Sequence, residues 1–118
     1  MSDNAANDKA LNAMILGGKA LEGFDLYYAD DVSMQENANP PMVGKAANRE
    51  REIAFFGSIE KANRFELGKS AVEGDTGFSE WFLDVELKNG SRMVSNQVSR
   101  RTWRDGKIID ERFFYNAG

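Results

Sequence analysis

RFELGKSAVEGDTGFSEWFLDVELKNGSRMVSNQVSRRTWRDGKIIDERFFYN, residues 64–116, decides the fold. It divides into four strand-like runs, 65–73, 78–88, 91–104 and 107–116, separated by Gly74-Asp75-Thr76-Gly77, Asn89-Gly90 and Asp105-Gly106. In the second run Trp81, Leu83, Val85 and Leu87 alternate with Glu80, Phe82, Asp84 and Glu86, the two-residue period of a half-buried strand. Asn-Gly and Asp-Gly accept the left-handed backbone of a tight hairpin, so each is read as a two-residue turn.

Two-residue turns set the facing pairs. Around Asn89-Gly90 they place Leu87 opposite Arg92, Val85 opposite Val94, Leu83 opposite Asn96 and Trp81 opposite Val98. Around Asp105-Gly106 they place Thr102 opposite Ile109, Arg100 opposite Glu111, Val98 opposite Phe113 and Asn96 opposite Tyr115. Facing residues share a side of the sheet. The expected inner face therefore holds Trp81, Leu83, Val85, Val94, Val98, Ile109, Phe113 and Tyr115, with Asn96, Arg100 and Glu111 among them. The outer face is charged but broken by Phe82, Met93, Trp103, Ile108 and Phe114, a mixture that fits a partner surface. A single β-bulge would exchange these assignments downstream of it, turning Trp103 inward and Arg100 outward.

Upstream of the sheet, residues 5–16 carry Leu11, Met14 and Ile15 at helical spacing, with Ser2, Asp3 or Asn4 as cap. Gly17-Gly18 breaks this helix. A second short helix buries Leu21, Phe24 and Tyr27 or Tyr28. Ala29-Asp30-Asp31 is expected to turn it into a short strand, 32–36. Residues 37–41 form a loop that Pro40-Pro41 holds extended. The third helix, 45–59, directs Ala46, Ile53, Phe56 and Ile59 to the core, and Arg49, Glu50, Arg51, Glu52 and Glu60 to water.

Composition narrows the chemistry. The 118 residues suit a single domain, 1–118, with one core. The net charge of −4 argues against nucleic acid as a partner. Without cysteine there is no disulfide or thiolate metal site; without histidine there is no Ser-His triad and no imidazole base. No metal or other cofactor is expected, and acid–base chemistry falls to carboxylates, Lys, Tyr or water. No apolar run is long enough to span a membrane. The polar start, residues 1–9, lacks the pattern of a signal peptide, so a cytoplasmic protein is expected.

Three stretches together resemble a known family. They are Tyr27-Tyr28-Ala29-Asp30-Asp31-Val32; the Pro-rich loop leading through Val43-Gly44-Lys45 into a helix with Phe55-Phe56; and Trp103-Arg104-Asp105-Gly106-Lys107-Ile108 followed by Glu111-Arg112-Phe113-Phe114-Tyr115. Their order is similar to that of the nuclear transport factor 2-like superfamily, in its SnoaL-like branch. The resemblance implies an α+β fold, a cone-shaped barrel in which three N-terminal helices wrap a curved antiparallel sheet, with a pocket between them. It implies dimers through the outer sheet face. It also implies a choice among isomerase, cyclase, hydrolase and non-catalytic roles, because such a fold hosts many functions.

In ketosteroid isomerase relatives the Tyr/Phe-Ala-Asp-Asp pattern and four further residues lead to a carboxylate base, which the resemblance places on Glu36. The plainer reading of Glu36 is a solvated carboxylate at a loop edge. The oxyanion-hole Tyr and Asp of that enzyme, a worked example in protein chemistry, fall at Leu11 or Asn12 and near Ser99. Neither type is kept, which counts against steroid isomerisation. Arg100 and Glu111 read either as a mutually satisfied pair or as the border of a pocket, with Glu111 as a proton acceptor or Arg100 as an anchor for a ligand carboxylate or carbonyl. Asn96 and Tyr115 either orient a ligand oxygen or bond each other. Tyr28, Met34, Phe56, Trp81 and Phe113 would line the remainder, and by default they are core. The expected partner is a small apolar ligand, taken by an isomerase-, cyclase- or hydrolase-like enzyme with Glu36 or Glu111 as base. The alternative is a non-catalytic binding or dimeric accessory module.

Overall fold

The structure, a computed structural model, describes residues 3–116. Asp3 caps α1 (Asn4–Leu16), its carboxylate accepting the Ala6 amide at 3.0 Å; Ser2, an alternative cap, lies outside the described residues. α2 (Ala20–Tyr27), β1 (Tyr28–Glu36) and β2 (Met42–Val43) lead to α3 (Lys45–Gly57). β3 (Ile59–Glu73), β4 (Thr76–Leu87), β5 (Arg92–Arg104) and β6 (Lys107–Tyr115) follow. The strands form an unclosed six-stranded sheet in the order β2-β1-β6-β5-β4-β3.

The four long strands are antiparallel meanders, as expected. β1 instead runs parallel to β6, which makes the sheet mixed. Ala29-Asp30-Asp31 is not a turn: α2 passes directly into β1. β2, which no alternation marks, is a two-residue strand beside Ser33 and Met34. β3 begins six residues earlier than its apolar pattern does, because the edge residues 60–64 are exposed.

The hairpin registers decide the interior. Leu87 N–H donates to the Ser91 carbonyl at 2.8 Å, and Gly90 N–H to the Leu87 carbonyl at 2.9 Å. The loop is therefore three residues long, Lys88-Asn89-Gly90, with Gly90 at φ 90°. That one extra residue shifts β5 by one position. Val85 faces Met93, Leu83 faces Ser95 and Trp81 faces Gln97. Asn96 and Arg100 consequently lie on the outer face, and Arg101 and Trp103 turn inward, the reverse of the two-residue reading.

The Asp105-Gly106 turn does have two residues, pairing Arg104 with Lys107. A bulge between Thr102 and Trp103 then absorbs Ile109. Ile108, expected outside, enters the core, and Ile109 leaves it half-buried. Past the bulge Arg101 faces Glu111, Ser99 faces Phe113 and Gln97 faces Tyr115. Two successive one-residue shifts cancel, so Glu111, Phe113 and Tyr115 face inward as expected.

The main core packs Leu11 and Phe24 against Tyr28, Val32, Met34, Trp103 and Ile108. Met34 is thus a core residue at 1% exposure. α1 crosses the inner face of β4 at Gly77, where an added Cβ would stand 2.7 Å from Asp8 Oδ1. The missing side chain is what lets the helix approach.

Candidate functional site

Between α1 and the strands β4, β5 and β6 lies a buried polar cluster that no sequence periodicity marks. Arg101, 2% exposed, donates from Nε to Glu111 Oε2 at 2.9 Å. Its Nη1 donates to Asn12 Oδ1 at 2.7 Å and to Asp8 Oδ1 at 3.2 Å. The Tyr28 hydroxyl donates to Glu111 Oε1, and Trp103 Nε1 to Asp8 Oδ1 at 3.1 Å. Asn12 Nδ2 donates to Ser79 Oγ at 3.1 Å. Burial disfavours charge on Arg101, but Glu111, Tyr28 and Asp8 outweigh it, and its pKa is raised. Burial, followed by the Glu111 charge, lifts the Tyr28 phenol well above its ordinary value.

Glu111 thus pairs with the guanidinium next to the one expected: Arg101, not Arg100. Arg100 sits on the outer face beside Asp110, 3.6 Å away, and near the Phe114 ring. The expected Arg100–Glu111 pair is not formed, because the one-residue shift of β5 puts Arg101 opposite Glu111.

Above the cluster, between sheet and helices, is a cavity of about 610 Å³. Tyr28, Phe56, Trp81, Phe113 and Tyr115, all named from sequence, reach its wall, as do Glu36 and Glu111. Asn96, Arg100 and Met34 do not. Ser95 and Gln97 occupy the places that parity had given to β5 neighbours such as Asn96.

Glu52, expected to face water, lines the cavity instead. α3 does not turn Ile53 to the core; Ile53 is 38% exposed. The inward stripe is Asn48, Glu52, Phe55 and Phe56, at i, i+4, i+7 and i+8. Buried Asn48 fixes that rotation by donating to the carbonyls of Gly44 at 2.8 Å and Met42 at 3.0 Å. The legible signal was Phe55-Phe56, since the side chains one turn before an inward aromatic pair also face inward. Glu52 is half-buried on the cavity wall. Burial first, then the Glu111 charge and that of Glu36, push its pKa up to about 7, while Arg51 opposes them.

Glu36 ends β1, and Asn37 beside it, at φ 50°, latches β1 to β6. Asn37 accepts the Tyr115 amide at 2.9 Å on Oδ1 and Arg112 Nε at 2.8 Å on its carbonyl. The latch brings Glu36 to Tyr115, whose phenol is raised by burial and by the Glu36 charge and hydrogen bond. Three carboxylates from β1, α3 and β6 therefore share one largely apolar cavity. Among the described residues no cluster of metal-ligating side chains occurs, and no helix is long and apolar enough to cross a membrane.

Known proteins agree with this architecture. A SnoaL-like protein from Mesorhizobium loti, named as a polyketide cyclase with carbohydrate phosphatase in brackets, superposes with a TM-score of 0.85 at 26% identity, covering 97% of this chain and all (100%) of its own. A protein from Jannaschia, also named a SnoaL-like polyketide cyclase, gives 0.79 at 15% identity, covering 96% and 85%. A nuclear transport factor 2-like protein of unknown function from Burkholderia pseudomallei gives 0.75 at 14%, covering 98% and 92%. Among curated proteins none matches. The model of the SnoaL-like domain matches residues 9–111, from within α1 to the inward carboxylate of β6. With its helices, mixed curved sheet and this match, the chain belongs to the SnoaL-like family of the nuclear transport factor 2-like superfamily.

Proposed function

We propose that the cavity binds a small, largely apolar ligand and that a carboxylate moves a proton on it, as in an isomerase, cyclase or hydrolase. The observation that carries this reading is the convergence of Glu36, Glu52 and Glu111 on one aromatic-lined space. Their surroundings divide the roles. Glu111 has both oxygens engaged, by Tyr28 and Arg101, and serves as a fixed charge. Glu52, held near neutrality by burial and by that charge, is suited to give and take a proton at physiological pH. Glu36, beside Tyr115, is the second candidate base. In the simplest step a carboxylate takes the proton from carbon next to a carbonyl, and the C–H electron pair moves into the enolate.

Apolar ketones incubated with the protein in D2O test this. Deuterium gain at the α-carbon should be faster than in buffer and should fall at least tenfold in Glu52→Gln. If wild type, Glu52→Gln, Glu36→Gln and Glu111→Gln all match buffer, the catalytic reading fails. The second reading, a non-catalytic binding module, is favoured by one observation: the most buried carboxylate is fully committed to Arg101 and Tyr28. Thermal shift with the same ketones would then separate binding from neither.

We also infer a homodimer through the outer sheet face. Phe78, Val94, Val98 and Phe114 are exposed there, and Arg112 lies 4.7 Å from the Phe114 ring centroid. Trp103, first placed on that face, is inside and takes no part.

A further inference from the structure

The cavity is richer in negative than in positive groups, and one of its two positive groups is already committed. Glu36, Glu52 and Glu111 reach its wall, against Arg51 and Arg101. Arg101 is shared with a further buried carboxylate, Asp8, and is 2% exposed. Counted formally, four carboxylates stand against two guanidinium groups. An entering anion would meet only Arg51. Aromatic rings make up much of the remaining wall, beside Leu11, Ile15, Leu83 and Met93: Trp81 packs edge-on to Phe65 at 5.9 Å, Phe55 to Phe56 at 5.2 Å, and Tyr28 stacks on Phe24 at 4.4 Å.

Aromatic faces and uncompensated carboxylates attract the same thing, a positive charge on an apolar body. Resting on the reading that the cavity binds a ligand, we propose that this ligand is an organic cation, an ammonium group carried on an apolar skeleton. A neutral ligand leaves the excess negative charge where it is, and an anionic one adds to it. An ammonium group supplies the missing countercharge. The response of Glu52 follows. With no cation present it holds its proton for part of the population at neutral pH. As the cation enters, the Glu52 O–H bond breaks, the carboxylate keeps the electron pair and the proton passes to solvent. Glu36 and Glu111 face Glu52 from β1 and β6, and Arg51 lies beside it on α3. Both acids favour the incoming cation; Arg51 opposes it, as does Arg101 on the far side of Glu111.

Three probes sharing one apolar ring test the charge preference: cyclohexylmethylammonium, cyclohexylmethanol and cyclohexanecarboxylate. They are titrated calorimetrically into the wild-type protein at pH 7, in two buffers of different ionisation enthalpy. The ammonium probe should bind about tenfold or more tighter than the alcohol, with the carboxylate weakest. Its heat should depend on the buffer, reporting a fraction of a proton released per site, whereas the alcohol's should not. Glu52→Gln should abolish the proton release and most of the preference while keeping alcohol binding; Glu36→Gln should weaken the preference without abolishing the release. Alcohol binding as tight as ammonium binding, or a preference for the carboxylate, overturns the cation proposal and leaves the cavity reading standing. Binding of none of the three overturns both.

Discussion

Glu52 has a consequence for stability as well as for chemistry. Its pKa is about 7 in the fold against 4.5 as a free side chain. The folded state therefore binds more protons between those values. The stabilising contribution is full below 4.5 and is lost as pH rises through about 7. Glu52→Gln should remove this slope. Urea unfolding should show the variant gaining roughly 1–2 kcal/mol over wild type at pH 8, allowing for screening by solvent in the open cavity, and little at pH 4.5. Arg101 behaves oppositely. Arg101→Leu leaves Asp8 and Glu111 buried without their cation, and should cost about 3–5 kcal/mol in urea unfolding at pH 7. Lowering the pH should recover part of that loss, as the stranded carboxylates take up protons. Arg101 was legible as a charged residue in a strand, but not as a buried one, because nothing local distinguishes it from Arg100.

At the scale of elements, the Lys88-Asn89-Gly90 loop sets which side chains of β5 look inward. Deleting Lys88 would leave a two-residue Asn-Gly turn that closes the same pair, Leu87 with Ser91. β5 should then keep its facing, with Arg101 and Trp103 inside and Arg100 outside. The expected result is a cooperative urea transition and near-ultraviolet circular dichroism like those of wild type. A deletion variant that lacks either would show that the three-residue loop itself, and not the pairing of its ends, holds the register. The contact of α1 with β4 is tested at Gly77. Gly77→Ala places a methyl 2.7 Å from Asp8 Oδ1 and should cost about 1–3 kcal/mol by forcing the Asp8–Arg101–Trp103 bonds apart. The facing of α3 was hidden for a related reason. Its inward stripe begins with Asn48 and Glu52, so apolar periodicity alone favours the wrong side, with Ile53.

At the scale of the whole molecule, the sheet offers an outer face with Val98 37% and Phe114 37% exposed near its middle strands. If two copies meet there, Val98→Glu should convert a dimer into a folded monomer in sedimentation at micromolar concentration, with an unchanged circular dichroism spectrum. A wild-type protein already monomeric under those conditions would remove the dimer. Alternation, glycine turns and helical spacing, all local properties, were sufficient to determine the long strands, their antiparallel order and the three helices. With the family resemblance they also placed Glu36, Glu111, Phe113 and Tyr115 around one interior. Tertiary structure alone decided that Arg101 and not Arg100 answers Glu111, that β1 lies parallel to β6, and that Glu52 looks into the cavity. The reason is parity: side chains alternate every residue along a strand, so one additional loop residue or one bulge exchanges the two faces. Neither leaves a mark in composition or period, and only the closing of hydrogen bonds across the turn selects between them.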